Sequence, residues 1–135
     1  MNTAIITGAD SGMGFEETRA VAQAGYHVIM ACYSPKLAQP KCEQLKKETG
    51  NEHIEVLGID LANLSTVAAF VKEVKQRGCS IQLLMNNAGT METGRHITVD
   101  GLERTVSVNY VGPYLLTRLL LPMMQPGARI VNMAS

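Results

Sequence analysis

The feature that most constrains this chain is the junction Ile5-Ile6-Thr7-Gly8-Ala9-Asp10-Ser11-Gly12-Met13-Gly14, where a β-branched run enters a glycine-spaced turn and then a helix-like stretch over residues 15–24. The alternation continues downstream. Residues 27–31, 54–59, 81–85 and 129–133 read as further short apolar strands. Between them, residues 36–49, 64–77 and a long segment from about Asp100 to Met124 read as helices, and Gly25, Gly50 and Gly78 stand where helices stop. Parallel strands joined by helices require right-handed crossovers, so the expected fold is α/β: a doubly wound parallel sheet in three α/β/α layers, truncated after the fifth strand.

In such a sheet ligands bind beyond the carboxyl ends of the strands, at the point where strand order reverses. The unusual residues of this chain collect at those ends: Gly8 to Gly14, Cys32-Tyr33, Asp60, Asn87 to Gly89, and Ser135. Glycine serves where the backbone turns tightly or a ligand must approach without meeting a Cβ. The helix that follows presents N–H groups and a positive dipole end, which suit a pyrophosphate. A glycine-rich strand-to-helix turn can also be only a turn, and the spacing here is G-x-x-x-G-x-G rather than G-x-G-x-x-G.

Composition narrows the partners. Twelve basic and twelve acidic side chains leave no formal net charge over 135 residues, which argues against a nucleic-acid or membrane-surface protein. An apolar share of 46% supports a real core, and the length suits one domain over residues 1–135. Arg118 interrupts the longest apolar stretch, so no membrane span is expected. With no basic leader before the first strand, and with Cys32, Cys42 and Cys79 neither paired in number nor spaced for a metal, a cytoplasmic protein without a metal site is expected.

Thr7-Gly8-Ala9-Asp10-Ser11-Gly12-Met13-Gly14 resembles the T-G-x-x-x-G-x-G signature of the short-chain dehydrogenases/reductases, classical type. Asp60-Leu61, Asn86-Asn87-Ala88-Gly89 and Val108-Asn109-Tyr110 match that family in the right order. The wording of residues 12–31 and 108–122 is nearest its retinol dehydrogenase and protochlorophyllide reductase branch. The resemblance implies a Rossmann-type domain binding NADP or NAD. By it, Ser11 and the backbone of Gly12, Met13 and Gly14 would hold the phosphates, and Gly8 would form the turn. Asp60 would meet the adenine amine with Leu61 beside it, and Asn87, Ala88 and Gly89 would pass behind the ribose.

The end of the second strand normally separates the two cofactors: an acid there grips the ribose 2′-OH, and a base there takes a 2′-phosphate. Ala31-Cys32-Tyr33-Ser34 offers neither. Tyr33 stands where the named branch carries arginine. Ser34 and Lys36 remain as 2′-phosphate contacts, Asp10 opposes them, and the balance favours NADP.

The family's reaction, hydride transfer between nicotinamide and a carbonyl or alcohol, uses Asn, Ser, Tyr and Lys. Asn109 matches the asparagine and Ser135 the serine. Pro113, four residues after Asn109, has no N–H to offer its carbonyl, so that carbonyl is expected to take another donor. No Tyr-x-x-x-Lys occurs anywhere in the chain; Tyr114 with Arg118 is the nearest approach. Two readings follow. In one the chain is the N-terminal part of a longer oxidoreductase acting on a small carbonyl or alcohol substrate. In the other it is a non-catalytic NAD(P)-binding module or regulatory partner, a role that leaves Asn109 and Ser135 without a use. By analogy with the family, a homo-oligomer would pair through the helix over residues 100–124.

Overall fold

A computed structural model describes residues 2–89 and 96–133. The described strands form one five-stranded, all-parallel sheet in the order β3-β2-β1-β4-β5, with β1 at Asn2–Thr7, β2 at His27–Cys32, β3 at Ile54–Gly58, β4 at Ser80–Asn86 and β5 at Met124–Asn132. This is the doubly wound, Rossmann-type order that the alternation predicts. The chain runs outward from β1 through β2 to β3, then crosses back to place β4 on the other side of β1.

Burial on both faces explains why the central strands are continuously apolar. Ile5 packs into one core and its neighbour Ile6 into the other. Along β2, Ile29 and Ala31 belong to the first core, and Val28, Met30 and Cys32 to the second. This is the two-residue period of a pleated strand serving two helix layers. The first core is closed by Val67, Phe70 and Val74 of α3 (Leu64–Gln76) and by Leu116 and Leu120 of α5 (Gly112–Leu120). The second is closed by Ala22 of α1 (Gly12–Gln23) and by Ala38, Cys42 and Leu45 of α2 (Pro35–Thr49). Gly50, at φ 72°, ends α2 in the left-handed conformation expected of a helix stop.

The last third departs from expectation. The helix foreseen from about Asp100 begins only at Arg104. Residues 96–103 form instead a turn closed by an antiparallel bridge between Ile97 and Glu103. Helix α4 (Arg104–Val106) leads into a π-helical stretch at Ser107–Val111, then α5, then a 3-10 turn at Leu121–Met123. The strand foreseen at 129–133 starts at Met124. It pairs first with Ile81 and resumes at Leu83 with Arg129, and the extra residues bulge at Gly127, whose φ is 84°. Among the described residues β5 pairs only with β4, and Ile130 is partly exposed on that edge.

Candidate functional site

The strand order reverses at the carboxyl ends of β1 and β4, and there the chain closes on itself tightly. The Thr7 hydroxyl accepts the N–H groups of Asn87 and Ala88, each at 3.0 Å. Gly8 donates its N–H to the Ala31 carbonyl at 3.0 Å, and a Cβ on it would lie 3.0 Å from the Ala88 Cα. Gly14 is needed for space alone: a Cβ there would lie 2.1 Å from the Gly8 carbonyl oxygen and 2.6 Å from the Asn87 carboxamide. Gly12 meets the opposite demand, with open space around it but a φ of 55°.

The Asn87 carboxamide is oriented by its partners, donating to Glu17 Oε1 at 3.0 Å and accepting the Gly14 N–H at 3.2 Å. Asn87 thus braces the first turn of α1 against β4. Burial raises the Glu17 carboxyl above the ordinary range. Ser11 precedes α1 in extended conformation and makes no side-chain capping bond, and Met13 is exposed beside it. The helix start therefore presents Ser11, Gly12 and Met13 outward, while Gly14 is engaged in packing.

Beside this turn lies a slot of about 290 Å³ lined by Gly8, Asp10, Ala31, Tyr33, Ile59, Asp60, Leu61, Ala88, Gly89, Arg104 and Val108. It brings together six of the residues singled out from the sequence: Gly8, Tyr33, Asp60, Leu61, Ala88 and Gly89. Asp60 is fixed by its own turn. Its Oδ1 accepts the Ala62 N–H at 2.9 Å, while Asn63 caps α3 by accepting from Ser65. Tyr33, at the tip of β2, lines the slot and is 68% exposed. Beneath the rim, the Cys32 thiol is pushed up to about 12 by burial and then by the neighbouring Asp10 charge.

Asn109 lies on the other side of Ala88, in a second cavity of about 290 Å³ shared with Asn86, Tyr110, Tyr114, Thr117 and Asn132. Its Oδ1 stands 3.4 Å from where a Cβ on Gly89 would be, so it borders the same segment as the slot. It falls within the π-helical stretch. Gly112 donates its N–H to Ser107, five residues back, one position before proline withdraws the next donor. Buried Asn86 donates to Asn132 Oδ1 at 2.8 Å and to Thr117 Oγ1 at 3.1 Å, tying β4 to β5 and α5. Ser135 lies outside the described residues.

Two contributors to the site escape a reading of the sequence, Ser107 and Gly112, and the role of Thr7 as an acceptor is a third. The Ser107 hydroxyl donates to the Leu61 carbonyl at 2.8 Å, and Gly112 allows that carbonyl to approach, since a Cβ there would lie 2.9 Å from it. Thr7 stood within the quoted glycine motif. Ser107 and Gly112 act on a segment more than forty residues away and carry no local signal.

A doubly wound parallel sheet, a glycine cradle at its switch point and an apolar slot beside it define a Rossmann-type α/β protein. The chain belongs to the short-chain dehydrogenase family, whose model, described as short chain dehydrogenase, matches residues 2–135. It is 37% identical over 134 residues to retinol dehydrogenase 11 of Mus musculus and 36% identical over 138 residues to polyprenol dehydrogenase of Homo sapiens. In each case 98% of this chain covers 42% of the relative. A metagenomic short-chain oxidoreductase solved in complex with NADP superposes with a TM-score of 0.84 at 26% identity, over 99% of this chain and 62% of the other. The chain thus spans less than half the length of the two curated relatives. Among the described residues no helix is long and apolar enough to cross a membrane, and no group of side chains could hold a metal ion.

Proposed function

We propose that this chain forms the NAD(P)-binding part of an oxidoreductase that transfers hydride between nicotinamide and a carbonyl or alcohol of a small molecule. The observation that carries the reading is the cradle at Gly14, closed to any side chain, opening onto an apolar slot that Asp60 ends. A flat aromatic base fits between Ala31, Ile59, Leu61 and Val108, and Asp60 offers an acceptor at its edge. Ser11, Gly12 and Met13 present the helix start to a pyrophosphate. Asn87, Ala88 and Gly89, fixed by Thr7, form the wall beside the ribose. Asn109 stands past that wall, where the reacting end of an extended dinucleotide would reach. When bound, the nicotinamide supplies or accepts the hydride. The chain's part is to bind, orient and exclude water. No Tyr-x-x-x-Lys is present to move the proton, so turnover by these 135 residues alone is not expected.

Support also comes from the relatives, which are named dehydrogenases, and from the neighbour that holds NADP. Of the two cofactors, NADP is favoured by the lack of an acid at the tip of β2. Pairing of two copies through the helix is compatible with the exposed Tyr110, Tyr114 and Leu121. Three unbridged cysteines suit a reducing compartment such as the cytoplasm.

The test is fluorescence titration of the purified protein with NADPH and NADH. Saturable binding of either supports the reading, and binding of neither overturns it. A non-catalytic module would bind equally well but show no hydride transfer, even in a form that carries a Tyr-x-x-x-Lys.

A further inference from the structure

We propose that Lys41, on α2, is the residue that reads the adenosine 2′-phosphate of NADP in this chain. The inference rests on the cofactor reading above and adds to it a residue outside the strand tip. The strand tip itself is poorly equipped. Tyr33 is an exposed phenol, and the Ser34 hydroxyl, which accepts the Leu37 N–H at 3.3 Å, has one O–H to donate but no charge. Lys41 lies two turns further along α2, yet its side chain crosses back to the glycine turn, where Nζ donates to the Asp10 backbone carbonyl. It also stands 5.9 Å from the centre of the Phe15 ring on α1. An ammonium is thereby held against the backbone of Asp10, which lines the slot together with the exposed Tyr33.

Its neighbours sharpen the assignment. Arg19, the other cation on the Phe15 ring, is committed to Glu16 and Glu48. Lys41 makes no ion pair among the described residues, so its charge is not cancelled by a carboxylate contact. Asp10 itself places a negative charge near the Cys32 thiol, close to where a phosphate would sit. A dianionic phosphate needs a cation there, and lysine, a compact charge on a flexible stem with three donors, reaches one without a preformed fork. Lys41 keeps its Asp10 bond through one N–H and offers the others outward.

The test compares NADPH and NADH binding to the unmodified protein, Lys41→Ala and Lys41→Arg, with 2′-AMP and 5′-AMP as competitors. Loss of one charge-assisted contact should weaken NADPH and 2′-AMP by about tenfold or more, while NADH and 5′-AMP stay within about twofold. Lys41→Arg should retain most of the NADPH affinity, and the NADPH advantage should shrink with added salt. Equal losses for both dinucleotides, or none for either, would overturn the Lys41 assignment and leave the cofactor reading standing. Failure of the unmodified protein to bind either dinucleotide would overturn both.

Discussion

One hydroxyl, on Thr7, accepts two consecutive N–H groups, those of Asn87 and Ala88, at 3.0 Å each from residues eighty positions along the chain. Thr7 is 1% exposed, and the two donors are half-buried. The bond pair ties the end of β1 to the segment that follows β4, where the sheet reverses order.

Thr7→Val keeps the shape and removes the acceptor. It should cost about 2 kcal/mol in urea denaturation, as two half-buried donors lose their shared acceptor. Thr7→Ser should recover most of that stability, and dinucleotide affinity should follow the same order. A Thr7→Val variant as stable as the unmodified protein would mean that shape alone matters here.

The glycines of the turn should separate by cause. Gly14→Ala forces a Cβ against the Gly8 carbonyl and should cost about 3 kcal/mol, with loss of cofactor binding. Gly12→Ala meets open space and has only its left-handed backbone to resist it, a cost of about 1 kcal/mol. Urea midpoints and NADPH titration on the two variants check the order.

Cys32 should be inert in the native protein. With its folded value raised to about 12, from an ordinary 9.0, the thiol keeps its proton while an unfolded chain releases one above pH 9. The fold then binds more protons than the unfolded state, so this contribution is present below pH 9 and is lost as pH rises from there through about 12. Alkylation at pH 8 should label half-buried Cys79 and leave buried Cys32 and Cys42 untouched until denaturant is added. Rapid labelling of all three thiols without denaturant would contradict it.

The strands and helix stops were legible because burial on both faces and glycine at φ 72° each leave a local mark, as at Ile5-Ile6 and Gly50. What stayed hidden depended on distance. Asp100 looks like the start of its own helix, yet its Oδ2 accepts the Leu64 N–H at 2.9 Å and so serves α3. The early start of β5 at Met124 depends on pairing with Ile81, across a bulge that no local pattern announces. The glycine turn, Asp60 and Asn87 to Gly89 were readable as a site because they sit at strand ends. Lys41 was not, since on the sequence it is one more polar position in a polar helix, and only the packing of α1 on α2 carries it back to Asp10.

The placement of β1 at the middle of the sheet has a consequence for synthesis. A ribosome delivers β1 first, and β2 and β3 can join one side of it soon after. Its other side waits for β4, which ends at Asn86. Until then a nascent chain holds a half-sheet with an open inner edge, a template for wrong pairing. The glycine turn is made early but has no opposite wall during that interval, so cofactor cannot guide the first half of folding. A ribosome-stalled series should gain NADPH binding only after residue 89 has cleared the exit tunnel.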